Sequence, residues 1–264
     1  MSAKTIAIIN QKGGVGKTTT TVNLGVGLAA KGKKVLLIDC DPQGSLTIHL
    51  GRQQPEKLTV TLSELLEQAI KDAPISAQEC ILKHPEGVAF IPGNRNLTGL
   101  EAALIGAMSG ETILQQCLAE IKAPYDYVLI DCLPSLGALA VNVLTAADSL
   151  LIPVQPQFLD IKGLEELLRT YAKVRKLLNP SLTIEGILLT MVNPRTNITK
   201  NIIQSLQDSY AQQVHIFHSH IPVAVSAKEA SSQGMSIFAY DPYGKVAQTY
   251  ALLVEEVLAL AEEA

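Results

Sequence analysis

Short, nearly uninterrupted apolar runs alternate along the chain with longer segments in which apolar residues recur every three or four positions. TIAIIN at Thr5–Asn10, KVLLID at Lys34–Asp39, VAFIP at Val88–Pro92, YVLID at Tyr127–Asp131, SLLIPV at Ser149–Val154, Ile184–Val192 and Val214–Phe217 read as strands. Between them the helical period predicts helices over Lys17–Lys31, closed by Gly32, and over Leu62–Lys71, Thr98–Ile121, Gly137–Ala147, Asp160–Leu178, Thr199–Gln212 and Tyr243–Glu263. Gly106 and Gly110 are candidate breaks in the third of these, and Asn179-Pro180 closes the fifth. Such alternation argues for βαβ crossovers, so the expected fold class is α/β: a mostly parallel, twisted sheet with helices on both faces.

Composition sharpens this picture. Apolar residues make up 47% of the 264 residues, aromatics only 4%, and Trp is absent, which suits a parallel sheet buried under helices. Residues 51–60 (GRQQPEKLTV) are the most loop-like stretch and too short for a domain boundary, so 1–264 reads as a single domain. The first strand begins near residue 5, which leaves no room for an N-terminal helix-turn-helix domain. The net charge of -4 gives no global pull toward nucleic acid, so any DNA contact needs a local basic patch. Cys40, Cys80, Cys117 and Cys132 form no C-x-x-C pair and no signal peptide precedes them, which points to free thiols in a reducing cytosol. No apolar run approaches the ~20 residues of a membrane span.

The segment between the first strand and the first helix carries the chemistry. Gln11-Lys12-Gly13-Gly14-Val15-Gly16-Lys17-Thr18-Thr19 ends in the Gly-Lys-Thr of the phosphate-binding pattern G-x-x-x-x-G-K-[ST], with Gln11 at the first glycine's place. Glycines let successive N–H groups curl toward phosphate oxygens, and the following helix aims its N-terminal dipole at the same anion. Lys17 can reach the β- and γ-phosphates of ATP, and the Thr18 hydroxyl can ligate Mg²⁺. Lys12 adds a second cation in the manner of an arginine finger.

Ligands of open parallel sheets lie beyond the carboxyl ends of the strands, where Asp39, Asp41 and Asp131 stand. Asp131 is the expected holder of Mg²⁺ through its water shell, and Asp41 the expected orienter of the attacking water. Two weaker constellations compete. His215, His218 and His220 are spaced as an edge strand or loop rather than as metal ligands, because 215 and 218 point to opposite faces. Cys40 and Cys132 each follow a strand-end Asp, whereas a bridging iron–sulfur cluster needs open, exposed loops.

KGGVGKTT (12–19), VNLG (22–25), DCDPQGS (39–45) and YDYVLIDCLPSLG (125–137) together resemble the ParA family of partition ATPases, in the deviant Walker A group that includes MinD and the nitrogenase iron protein. TMVNPRT (190–196) and IPVAVSAKEASSQGMSIFAYDP (221–242) extend the likeness over nearly the whole chain, and it is to the small members without an N-terminal DNA-reading domain.

The resemblance implies a cytoplasmic, nucleoid-associated Mg-dependent ATPase. ATP would drive a homodimer in which Lys12 reaches the partner's phosphates. Residues 13–19 would hold the phosphates: Gly13, Gly14, Val15, Gly16, Lys17, Thr18 and Thr19. Adenine would sit near Asn193 and the backbone at Pro222 and Val223. The dimer would bind double-stranded DNA non-specifically, and a ParB-like partner would stimulate slow hydrolysis to ADP. The chain departs from the family at Leu133, where a proline is usual, and at Val223 and Ser226, where relatives carry DNA-binding arginines. Lys228 is a candidate substitute, with Lys173, Arg175, Lys176, Arg195 and Lys200 as further basic candidates. A MinD-like role, positioning a protein assembly rather than DNA, is the alternative. Against a membrane stands the C-terminal helix, whose Glu255, Glu256, Glu262 and Glu263 an anionic bilayer repels.

Overall fold

The computed structural model describes residues 3–74, 77–193 and 197–263, with the backbone alone of 158–162, 197, 198, 200 and 263. In chain order the elements are β1 (Lys4–Ile8), α1 (Lys17–Ala30), β2 (Val35–Cys40), α2 (Ser45–His49), α3 (Leu62–Ile70), β3 (Leu82–Lys83), β4 (Ala89–Ile91), α4 (Leu97–Gly106), α5 (Ile113–Ile121), β5 (Tyr127–Cys132), α6 (Ala138–Ala146), β6 (Ser149–Val154), α7 (Phe158–Leu177), β7 (Thr183–Leu189), α8 (Asn197–Tyr210), α9 (Ser226–Ser232), α10 (Ile237–Tyr240) and α11 (Lys245–Glu263). The strands form one sheet in the order β3-β4-β2-β5-β1-β6-β7. Every pairing is parallel except the short β3–β4 contact.

The period-two alternation of the strands divides the interior into two cores. Leu36, Ile38 and Cys40 of β2, with Val128, Ile130 and Cys132 of β5, meet α3 to α8 on one face. Val35 and Leu37, with Tyr127 and Leu129, meet α1, α2 and α9 to α11 on the other. This alternation also fixes where the strand-end acids go. Asp39 and Asp131 each precede a cysteine that faces the first core, so both acids turn to the face that carries α1.

Two expected elements differ. The helix expected over 98–121 is two helices, α4 and α5. At Gly110 the chain doubles back so closely that a Cβ there would lie 1.8 Å from the Leu104 carbonyl oxygen, and Ser109 adopts a positive φ of 53° to make the turn. The strand expected at Val214–Phe217 is a single bridge between Ile216 and Ile187 of β7. Residues 213 and 214 still donate their N–H groups to the Tyr210 carbonyl in the turn that ends α8, which leaves only Ile216 in register with the sheet edge. The short elements α2, α9, α10 and β3 have no counterpart in the sequence reading.

The C-terminal helix docks on the body of the protein. Val246, Leu253, Val254 and Val257 of α11 are buried in the core that holds Val22, Leu24 and Leu28 of α1, and the Tyr250 hydroxyl lies 3.2 Å from Thr20 Oγ1. No helix among the described residues is long and apolar enough to cross a membrane, and the apolar face of α11 is spent on α1. Leu253→Ala should therefore lower the unfolding free energy by about 2–5 kcal/mol, measured as a shift in denaturant midpoint; a change below about 0.5 kcal/mol would show that α11 is not docked in solution.

Candidate functional site

The carboxyl ends of β1, β2, β5, β6 and β7 converge on the loop between Ile8 and Lys17. The loop turns at Gly14 (φ 75°) and Gly16 (φ 88°), and Gly16 is the N-cap of α1. A side chain at either position would be held in the left-handed region that L-residues avoid. Flanking strands pin the loop from outside. The Thr190 hydroxyl at the end of β7 donates to the Val15 carbonyl at 2.8 Å, and Gln155 Nε2 beyond β6 donates to the Gly14 carbonyl at 2.9 Å. The Lys12 N–H donates to Asn10 Oδ1 at 3.0 Å, while Asn10 is itself anchored on the Pro153 carbonyl at 2.7 Å.

Behind the loop lies a cluster of buried charge. Lys17 is 6% exposed and donates to the Lys12 carbonyl at 3.0 Å. Asp131 is fully buried and accepts from the Thr18 hydroxyl at 2.7 Å and, more weakly, from the Thr21 hydroxyl at 3.4 Å. Asp39 is its in-register neighbour on β2, also fully buried. Asp39 accepts from the Thr47 N–H at 2.8 Å, the Thr47 hydroxyl at 2.6 Å and the Asp41 N–H at 3.2 Å, which fixes the turn from β2 into α2. Burial pushes the Asp39 carboxyl up to about 6 against the pull of these hydrogen bonds. Burial, and then the nearby Asp39, push Asp131 well above the usual carboxylate range, opposed by Thr18 and Lys17. Burial likewise lowers Lys17, although Asp131 partly restores it. Two buried carboxyls thus stand in register behind the loop with one buried lysine near Asp131, and a further cation close to them would favour their ionised forms.

Asp41 stands one turn outward, half-buried, with Oδ1 accepting from the Gln43 N–H at 2.9 Å. Its side chain lines a cleft of about 670 Å³ together with Gly13, Gly14, Lys17, Thr18 and Pro134. Next to it an apolar pocket of about 300 Å³ is walled by Ile221, Pro222, Val223, Ala224, Ala227 and Tyr250. Met191, on a positive φ of 51°, stands between the two. Lys12 Nζ points out of the loop and donates to Gln157 Oε1, at the start of α7, at 3.1 Å.

Most of the expected site residues meet here: Lys12, residues 13–19, Asp41, Asp131, Pro222 and Val223. Asn193 is exposed and lines neither cavity. Lys173, Arg175 and Lys176 lie toward the far end of α7, about 22–27 Å along the helix from its first residue, where Arg175 and Lys176 in the last turn also complement the helix dipole. Lys228, expected at a DNA surface, lines both cavities. Arg195 lies outside the described residues, and of Lys200 only the backbone, within α8, is described. The residues that sequence reasoning passed over are Thr47, Gln155, Thr190 and Ser231. Gln155 and Thr190 are polar residues just past strand ends, the positional signal that singled out the aspartates, whereas Thr47 lies within α2.

Elsewhere, Cys40 and Cys132 are register neighbours, both buried, with thiols that burial pushes well up. The histidine segment is held by an acid distant in sequence: Glu256 of α11 accepts from the His218 and Ser219 N–H groups at 2.8 and 2.9 Å.

Comparison with known proteins agrees with this geometry. A family model described as an AAA domain matches residues 3–184. The chain is 42% identical over 260 residues to the sporulation initiation inhibitor protein Soj of Bacillus subtilis, covering 97% of this chain and 98% of Soj. It is 39% identical over 258 residues to the chromosome partitioning protein ParA of Caulobacter vibrioides, covering 97% and 94%. Among solved structures, cobyrinic acid a,c-diamide synthase from Mycobacterium smegmatis with bound ATP analogue and magnesium superposes with a TM-score of 0.85 at 33% identity, covering 97% of this chain and 94% of that one. The septum site-determining protein MinD from Pyrococcus horikoshii complexed with Mg-ADP gives 0.76 at 27% identity, covering 98% and 97%.

The buried pair generates a pH prediction. A carboxyl raised in the folded state binds its proton more tightly there than in the unfolded chain, so its stabilising contribution is full below about pH 4 and is lost as pH rises through about 6. Asp39→Asn removes this titration. Its unfolding free energy relative to the unsubstituted protein should rise from pH 4 to pH 7 in denaturant titrations. His49, which burial lowers to about 4 and which titrates across the same range, is common to both proteins and cancels. A pH-independent difference would contradict the burial of an ionisable pair.

Proposed function

The chain belongs to the ParA family of partition ATPases, and from that premise we propose that it is a Mg-dependent, ATP-driven DNA-partition switch. The observation that carries this reading is the buried Lys17–Thr18–Asp131 group at the N-terminus of α1, opening on a cleft that Asp41 lines. The donor set fits Mg-ATP. The hydroxyl and carboxylate of Thr18 and Asp131 are hard oxygen donors of the kind magnesium takes. The left-handed turns at Gly14 and Gly16 aim backbone amides at an anion. The apolar pocket beside them suits the face of a purine.

Bound Mg-ATP would supply the transferable phosphoryl group and its charge neutralisation. The chain's own residues do the rest. Lys17 donates to the β- and γ-phosphate oxygens. Thr18 would hold magnesium through a hydroxyl lone pair while its O–H goes on donating to Asp131, and Asp131 would hold the ion through its water shell. Gly13 to Gly16 and Thr19 cradle the phosphates, while Pro222 and Val223 border the base. Asp41, its Oδ1 fixed by Gln43, orients the attacking water with its carboxylate. Lys12 leaves Gln157 and reaches the phosphates of a second subunit, so ATP assembles a dimer and hydrolysis to ADP ends it. The dimer binds duplex DNA without sequence preference, and a ParB-like partner stimulates turnover. The protein acts in the cytoplasm on the nucleoid.

A second reading, positioning of a protein assembly as in MinD-like proteins, is favoured by one observation. Val223 and Ser226 stand where the family's DNA-binding arginines are expected, and Val223 borders the apolar pocket instead of a basic surface. Co-sedimentation with non-specific duplex DNA in ATP at low salt, where phosphate contacts are strongest, separates the two. Partition requires ATP-dependent binding; its absence at low salt favours the protein-positioning role.

Lys17→Ala should abolish Mg-ATP binding in equilibrium dialysis, and retention of normal affinity would refute the cradle. Asp41→Ala should keep nucleotide binding and dimerisation while lowering turnover about 10²-fold or more. An unchanged rate would remove Asp41 from the water-positioning role.

A further inference from the structure

The phosphate cleft and the apolar pocket are separate cavities with a common wall. Gly16, Thr19, Met191, Lys228 and Ser231 line both. Lys228, in the first turn of α9, is the single charged side chain lining the apolar pocket. The salt bridges among the described residues do not include it. At the other end of the phosphate cleft lie Lys17, Thr18 and Asp41.

A nucleoside polyphosphate has the same two-part shape: an apolar-faced base and a polyanion, joined at the ribose and the α-phosphate. With the base in the apolar pocket and the terminal phosphates at Lys17, the ribose–α-phosphate junction falls on the common wall. A cation placed there meets the one phosphate that ADP and ATP present identically. The neighbouring Ser231 adds a hydroxyl that can bond the ribose or the same phosphate.

We propose that Lys228 is a nucleotide-binding residue of this chain, its ammonium serving the ribose–α-phosphate end of ADP and ATP alike, rather than a contact to DNA. This rests on the nucleotide reading of the cleft. It deepens that reading by giving the site two cationic ends with different duties. Lys17 and Lys12 answer to the terminal phosphates, which hydrolysis changes. Lys228 answers to the phosphate that hydrolysis leaves in place, so it sets how firmly ADP is retained after turnover. It also explains how the motif segment 221–242 can lose the family's arginines at 223 and 226 and still carry a cation: the lysine stands on the wall of the nucleotide site.

The test is equilibrium binding, free of any activity readout. Dissociation constants for Mg-ADP and for a non-hydrolysable Mg-ATP analogue are measured by calorimetry on the unsubstituted chain, Lys228→Ala and Lys17→Ala, with DNA affinity measured in parallel. Lys228 is exposed, and a thermal melt of Lys228→Ala and of Lys228→Gln checks that the fold is kept. The expected result is a loss of about 10- to 100-fold for Lys228→Ala, equal for the two nucleotides. An unchanged ADP affinity, a loss confined to the ATP analogue, or a loss confined to DNA would each overturn the assignment. If the unsubstituted chain itself binds neither nucleotide, the nucleotide reading falls as well. If it binds both and only the Lys228 effect is missing, that reading stands and this inference alone fails.

Discussion

A carboxylate with no surface in water must find hydrogen-bond donors or give up its charge, and Asp131 meets that demand in α1. It sits at the end of a central strand, with Thr18 and Thr21 turned toward it and Lys17 close by. Removing a carboxylate from water costs several kcal/mol, and only well-placed partners offset it. The contact therefore joins two things that are otherwise independent, the register of the sheet and the rotation of α1 about its axis. With both set, Gly16 must take the left-handed turn that begins the helix, and the loop before it has one course. Val15 and Gly14 are then where Thr190 and Gln155 can reach them from β7 and β6.

Beyond their contacts to the Lys12 carbonyl and Asp131, Lys17 keeps further ammonium protons and Thr18 its hydroxyl lone pairs for a nucleotide and a metal. Burial raises Asp39 and Asp131 and lowers Lys17. A divalent cation favours the ionised carboxylate and a nucleotide's phosphates favour the charged lysine, so the two favour binding together. Lys12 Nζ donates to Gln157 Oε1 at the start of α7.

Much of this was legible in the residues. The loop at 11–19 and the acids after KVLLI and YVLI are local signals, because a parallel strand ends where its apolar run ends. The period of two even assigns Asp39 and Asp131 to the face of α1. What was hidden is the set of contacts between segments distant in sequence. Thr190 and Val15 are 175 residues apart, and Gln155 and Gly14 are 141. Nothing near Thr190 or Gln155 marks them, since a threonine or glutamine at a strand end is common. The role of Asp39 was hidden for the same reason, as its partner Thr47 lies in a helix too short to show a period. Lys228 was read from its motif segment as a DNA candidate, and that it also lines the cleft depends on the tertiary placement of α9, which no local pattern shows. The break between α4 and α5 was marked by its glycines, whereas the edge at Ile216 kept a strand-like pattern without room for a strand.

The central relation is between the buried group and the ligand it is poised for, and a crystal structure of the Mg-ADP complex tests it most directly. Lys17 Nζ should bond a phosphate oxygen, and Thr18 Oγ1 should ligate the metal while its hydroxyl still donates to Asp131, with the loop at Gly14 and Gly16 unmoved. A complex in which Lys17 makes no phosphate contact and Thr18 no metal contact, or in which the nucleotide lies away from α1, would contradict it.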